Sequence, residues 1–169
     1  MRLFKYFYPK YSTESVDTID VGMLKSVGIK FAILDIDNTL VPYTSPYPDE
    51  RAMRFLNLLR DNGIRFCFVS NNNKERIEEF NKNIGAPYFP NAKKPLLYGI
   101  NKAMTELGAD KSNTVLIGDQ VFTDIWGGKR AGIITVLVEP IKEVESLFFR
   151  FKRCFEKMVL KEYAKSRHC

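Results

Sequence analysis

The sequence predicts a single α/β domain, a Rossmann-like fold with a central parallel sheet flanked by helices. Three observations carry that expectation. Short apolar runs recur along the chain, several without a polar break, as strands buried on both faces do. Stretches with helical spacing lie between them, so strand and helix alternate with short links. The 169 residues, 45% hydrophobic and 27% charged, make about one domain of globular chain.

The elements follow in order. A first strand is expected over 31–34 and a helix over 50–62, where Ala52, Phe55, Leu56 and Leu59 keep helical spacing and Asn62-Gly63 is the stop. A second strand is expected over 65–69, then a helix over 74–83 behind a capping Asn run. A weak strand over 87–89 precedes a helix over 95–107, which has Pro in its first turn and Gly108 at its end. Strands over 114–117 and 133–138 bracket a short helix over 124–130. From Ile141 onward Val144, Phe148, Phe151, Phe155, Met158 and Val159 recur at spacings of three and four. Arg153, Lys157, Lys161 and Lys165 take the other faces. The expected division is a body over 1–140 and a basic amphipathic helix over 141–169.

Composition excludes several classes. Cys67, Cys154 and Cys169 cannot all pair and fit no zinc spacing, so a reducing compartment is expected. No apolar run approaches the ~18 residues of a spanning helix, and the first ten residues lack the features of a secretory signal. The expected location is cytoplasmic, with peripheral contact at the inner face of the membrane open. The one histidine, His168, argues against histidine-based catalysis. Of the net charge of +6, residues 1–10 carry +3 (Arg2, Lys5, Lys10) and residues 147–169 carry +5, leaving the centre at −2. Nucleic acid is not expected on such a body. Basic ends with interleaved Phe and Tyr read as attachment to an anionic surface. For the last helix three readings stand: packing on the sheet, lying on anionic lipid, or binding a partner. No obligate protein partner is evident.

The chemistry sits at strand ends. Asp35 and Asp37 directly follow the first apolar strand, and two acids ending a buried strand must face a crevice or meet a cation. Ser70, Asn71 and Asn72 follow the second strand, Lys93 and Lys94 precede a helix, and Gly118-Asp119 with Asp124 follow the fourth strand. In a parallel sheet these ends share one edge, where ligands bind. Asp35, Asp37 and Asp119 offer oxygens to a hard cation such as Mg²⁺. Ser70 and Lys94 offer donors to an anion. Metal and donors around one point stabilise a transferring phosphoryl group.

The set Asp35-x-Asp37-x-Thr39, Ser70, Lys94 and Gly118-Asp119-x4-Asp124 resembles the four ordered motifs of the haloacid dehalogenase (HAD) superfamily. The strings DIDNTL, VSNNN, AKKP and GDQVFTD resemble those of the YqeG-type, subfamily IIIA phosphatases over roughly residues 1–150. The resemblance implies an Mg²⁺-dependent phosphatase, with Asp35 as nucleophile and Asp37 as general acid/base. Thr39, Ser70, Asn71 and Lys94 would serve the phosphate, Thr39 by holding the motif loop. Asp35, Asp37, Asp119 and Asp124 would serve the metal. Lys93 is adjacent to Lys94, but the lysine directly before proline matches better. The strand order implied is fifth-fourth-first-second-third.

The intervals 41–62 and 71–93 have no room for a cap domain, so the site mouth is expected to be open (the C0 type). An open mouth suits a phosphate on something large. Related proteins include phosphatidylglycerophosphate phosphatases, so the resemblance implies a lipid phosphomonoester substrate at an anionic membrane surface. Two alternatives stand beside it. One is a soluble phosphatase acting on a metabolite, nucleotide or protein. The other is a scaffold that uses the body without turnover, against which the intact Asp35 and Asp37 argue.

Overall fold

The computed structural model describes the backbone of residues 3–141 and 147–167, and the side chains of 4–141 and 155–165. Val144, His168 and Cys169 lie outside the described residues, as do the side chains of Arg2, Phe148, Phe151, Arg153 and Cys154. The strands are β1 (Tyr11–Thr13), β2 (Phe31–Leu34), β3 (Arg65–Val69), β4 (Tyr88–Phe89), β5 (Thr114–Gly118) and β6 (Ile134–Val138). The helices are α1 (Val21–Ser26), α2 (Glu50–Asp61), α3 (Lys74–Asn81), α4 (Leu97–Leu107), α5 (Trp126–Ala131) and α6 (Leu147–Arg167).

The six strands form one sheet in the order β1-β6-β5-β2-β3-β4, and every pairing is parallel. The five expected strands keep their expected order. β1 is an addition at the edge, held to β6 in the register Tyr11↔Val136 to Thr13↔Val138. Three residues without an apolar run leave no periodic signal, so pairing alone makes β1 a strand. The unforeseen α1 is a helix of six residues. Asp20 caps it, accepting from the Met23 N–H at 2.8 Å, and Val21 and Leu24 anchor it in the core.

Alternation along the central strands fills two layers. Ala32, Leu34, Phe66, Phe68, Val115 and Ile117 face a core closed by α1, α2 and α3. Ile33, Cys67, Val69 and Leu116 face the opposite core, closed by α4 and α5. Both faces are thus covered, and the central strands are apolar apart from Arg65 and Thr114 at their amino ends. The candidate site's polar side chains gather at the opposite, carboxyl edge of the sheet. Among the described residues no cap is inserted: α2 lies in the first interval, and α3 and β4 in the second.

A third cluster lies beside that edge. Val121, Ile125, Leu137 and Val159 pack with Phe4, Phe7, Tyr8, Phe122 and Leu160. Phe7 meets the rings of Phe122 at 5.2 Å and Trp126 at 5.4 Å, and Tyr8 meets Tyr163 at 5.2 Å. Lys129 Nζ donates to the carbonyls of Lys5 at 3.1 Å and Tyr8 at 2.8 Å. The amino-terminal aromatics are therefore docked on the body, with Tyr6 exposed. The apolar stripe expected on the last helix divides where its side chains are described, with Val159 buried and Phe155 and Met158 each 47% exposed. Glu156 and Val159 form the buried seam. One helical turn brings both i,i+3 pairs to adjacent faces, and the Phe122 N–H draws the Glu156 carboxylate inward at 3.5 Å. Among the described residues no helix is long and apolar enough to cross a membrane.

Candidate active site

β2 delivers Asp35 to the sheet edge, and the Asp35 N–H continues the parallel pairing by donating to the Ile117 carbonyl at 3.0 Å. The chain then turns sharply. The N–H groups of Thr39, Leu40 and Val41 all donate to the Ile36 carbonyl, and Asn38 takes a left-handed φ of 61°. Asparagine tolerates that region. Ile36, Leu40 and Val41 are buried and pin the turn to the core. Thr39, also buried, donates from Oγ1 towards Asp35 Oδ2 at 3.4 Å and Asp119 Oδ1 at 3.3 Å, tying the turn to the end of β5.

Lys94 enters from the opposite loop. Its Nζ stands 2.6 Å from Asp35 Oδ1 and 2.6 Å from Asp124 Oδ1. The Asp35 contact is a hydrogen bond, whereas Asp124 Oδ1 has the charge contact without a well-directed hydrogen bond. Lys93 is exposed with a φ of 54°, so of the two lysines Lys94 reaches the cluster. Asn71, expected at the phosphate, spends its side-chain amide on Lys94. Its Oδ1 accepts from the Lys94 N–H at 2.6 Å and its Nδ2 donates to the Lys94 carbonyl at 3.0 Å. Ser70 is buried at the end of β3, and its Oγ accepts from the Asn72 N–H at 3.0 Å.

Asp124 is wholly buried although four residues separate it from Asp119. A π-helical turn over Val121–Ile125 returns it over the end of β5. Its Oδ2 accepts from the Gln120 N–H at 3.1 Å. Gly118 allows the return, because a Cβ there would stand 2.6 Å from Asp124 Oδ2. Oxygens of Asp35, Asp119 and Asp124 all lie within 4.8 Å of one another.

Fully ionised, three buried carboxylates and one ammonium would carry two net negative charges. Burial pushes the Asp35 carboxyl up to about 8, partly opposed by Lys94 and reinforced by Asp124 and Asp119. Burial alone would lower the Lys94 ammonium, but Asp124 and Asp35 outweigh it and hold it above its ordinary value. A divalent cation supplies the missing charge, and hard carboxylate oxygens suit one. The acids present therefore fit a metal.

One residue at the site, Arg76, was not foreseen. Asp37, 14% exposed, is held by Arg76, 13% exposed. Arg76 Nε and Nη2 donate to Asp37 Oδ1 at 3.1 and 2.8 Å, and Asn72 Nδ2 donates to Oδ2 at 3.2 Å. Asn73, as expected, caps α3 by accepting from the Arg76 N–H. The available signal was a cation in the first turn of a helix that begins at the sheet's carboxyl edge. Trp126, with Phe7 against its ring and Arg130 over it at 5.5 Å, is a packing residue.

A family model described as haloacid dehalogenase-like hydrolase matches residues 43–132. A probable phosphatase of Bacillus subtilis, YqeG, is 33% identical over 164 residues, covering 97% of this chain and 95% of that protein. The chain belongs to the haloacid dehalogenase-like hydrolase family. With that relationship and the buried acids, this HAD-like hydrolase is a phosphatase. It is also 26% identical to phosphatidylglycerophosphate phosphatase 1 of Arabidopsis thaliana, over 94% of this chain and 49% of that protein. The cobalt-bound deoxy-D-mannose-octulosonate 8-phosphate phosphatase of Haemophilus influenzae shares the fold. Its TM-score is 0.53 at 18% identity, covering 84% of this chain and 93% of that one.

Proposed function

We propose that this phosphatase is an Mg²⁺-dependent phosphomonoester hydrolase that works through an aspartyl-phosphate on Asp35. Its proposed substrate is phosphatidylglycerophosphate, converted to phosphatidylglycerol at the membrane surface. The observation that carries the chemistry is the buried set of Asp35, Asp119 and Asp124 around Lys94.

Asp35 attacks phosphorus and Asp37 gives a proton to the leaving oxygen, then takes one from the attacking water. Lys94 neutralises charge shared between nucleophile and phosphate. Ser70 supplies a hydroxyl to the phosphate. Thr39 holds Asp35 and Asp119 in register, and Asn71 holds the backbone of Lys94. Asp35, Asp37, Asp119 and Asp124 serve the metal, Asp37 through its backbone carbonyl and Asp124 by supporting the loop. When bound, Mg²⁺ offsets the negative charge of the acids and phosphate. Residues 1–140 form the catalytic body in this reading, and 141–169 a helix that serves membrane contact.

Three features support the lipid. Relatives named phosphatidylglycerophosphate phosphatase match this chain at 26% and 25% identity. The two basic ends meet through Tyr8 and Tyr163, beside the loop that carries Asp119 and Asp124. Exposed Tyr6, Phe155 and Met158 accompany exposed Lys5, Lys157, Lys161 and Lys165 there. Tyr43, Tyr47, Leu96 and Tyr98 are also exposed, each a few residues past a site motif. Aromatic and apolar side chains among lysines suit an anionic bilayer, where each apposed Lys or Arg contributes about 1 kcal/mol.

The test is phosphate release with Mg²⁺ from vesicles containing phosphatidylglycerophosphate, with soluble phosphomonoesters and Asp35→Asn run in parallel. Asp35-dependent release from vesicles, weakened by charge reversal of Lys157, Lys161 and Lys165, is expected. Release from soluble esters alone would replace the lipid by a soluble substrate.

A further inference from the structure

We infer that Arg76 is the positioning residue for the general acid, fixing which oxygen of Asp37 carries the proton. The inference rests on the proposed role of Asp37 and goes beyond it. Both guanidinium donors, Nε and Nη2, fall on Oδ1, at 3.1 and 2.8 Å. Among the described residues Oδ2 meets only the neutral amide of Asn72, at 3.2 Å. A proton is disfavoured on an oxygen that already accepts two charged donors. Oδ2 is therefore the oxygen that exchanges protons with the substrate.

Arg76 is itself immobilised. Its Nη1 donates to the Pro46 carbonyl at 3.1 Å, and its guanidinium lies 5.9 Å from the Phe80 ring. Its backbone is fixed at the capped start of α3. The grip on Asp37 thus runs from helix to carboxylate through a planar fork, which lysine cannot reproduce. Asp37 stands in a turn pinned by buried Ile36, Thr39, Leu40 and Val41, so the arginine sets the rotation of its carboxyl group. In the first half-reaction the bond from Asp35 to phosphorus forms, the ester P–O bond breaks, and the leaving oxygen takes the Oδ2 proton. In the second, water loses a proton to Oδ2 as its oxygen bonds phosphorus and the Asp35–phosphorus bond breaks.

Leaving-group dependence separates this role from a structural one. A nitrophenolate leaves without a proton, whereas an alkoxide needs one. Because the second half-reaction is common to all esters, the readout is kcat/KM, which reports ester cleavage. Arg76→Ala should lower it on an alkyl phosphate such as glycerol phosphate by about a hundredfold. Loss of kcat/KM on p-nitrophenyl phosphate should stay under about tenfold. Arg76→Lys should show the same selectivity, and Asn72→Ala a weaker form of it, so the test survives if Arg76→Ala fails to fold. Equal loss on both esters in all folded variants would overturn the inference. Asp37→Asn runs beside them. If it also lacks selectivity for the alkyl ester, the assignment of Asp37 as the acid fails, and not the arginine's part alone.

Discussion

Asp124 folds back over Gly118 so closely that a methyl group on residue 118 would stand 2.6 Å from its Oδ2. The four-residue gap between Asp119 and Asp124 is the length of one π-helical turn, and the glycine is what lets that turn close on the site. Gly118→Ala must push Asp124 away from Lys94. Overpacking of this kind costs about 1–3 kcal/mol. Kinetics and an Mg²⁺ titration of the variant should give at least about tenfold lower kcat/KM and weaker activation by the ion.

Asp35→Asn should abolish turnover and stabilise the metal-free protein. Burial, with Asp124 and Asp119 adding to it, pushes the Asp35 carboxyl up to about 8. The folded state then keeps a proton that the unfolded chain has already released. Stability of the metal-free enzyme therefore falls as pH rises from the ordinary carboxylate range through about 8. Thermal unfolding in EDTA should show a Tm that declines across that window. The decline should be much smaller in Asp35→Asn, and Mg²⁺ should reverse it in the native sequence. An identical pH profile in the two proteins would contradict this electrostatic picture.

Asn71 and Asn73 make a matched pair of tests. Asn71 braces the backbone of Lys94 from both sides, while Asn73 caps α3. Asn71→Ala should lower kcat about 10- to 100-fold, as loss of a residue orienting an active group does. Asn73→Ala should cost about 1 kcal/mol of stability, read in urea melts. Comparable kinetic losses with no stability difference would undo the distinction.

Cys67 is wholly buried in β3, and burial pushes its thiol up to about 12. Iodoacetamide should leave activity intact at neutral pH, because the native protein presents no thiolate at residue 67. In the linkage the thiol favours the folded state below its ordinary range, and that contribution is lost as pH climbs towards 12. Cys67→Ala should flatten this part of the alkaline unfolding curve. Rapid alkylation of Cys67 in the folded enzyme would show the strand to be open.

These residues also mark how far the sequence could be read. Asp35, Asp119 and Lys94 were legible because parallel strands bring their polar ends to one edge whatever the loops do. Lys94 was preferred to Lys93 only through the family resemblance, which favours the lysine directly before proline, and it is Lys94 whose Nζ meets Asp35 and Asp124. Arg76 was not legible, since its partner lies 39 residues away and an arginine in a first helical turn is ordinarily a solvated charge. β1 and α1 are too short to carry a period, and tertiary pairing makes them. On α6 the burial of Glu156 was not legible, because a glutamate counts as polar in any pattern, yet the Phe122 N–H meets its carboxylate.

The central claim is that Asp35 is phosphorylated during turnover. A single-turnover reaction with Mg²⁺ can be quenched in acid, reduced with borohydride and mapped by peptide mass spectrometry. Reduction converts an aspartyl-phosphate to homoserine, so homoserine at position 35, absent from Asp35→Asn and from reactions without substrate, is the expected result. Full phosphate release with Asp35 unmodified at every quench time, or turnover surviving in Asp35→Asn, would contradict the account.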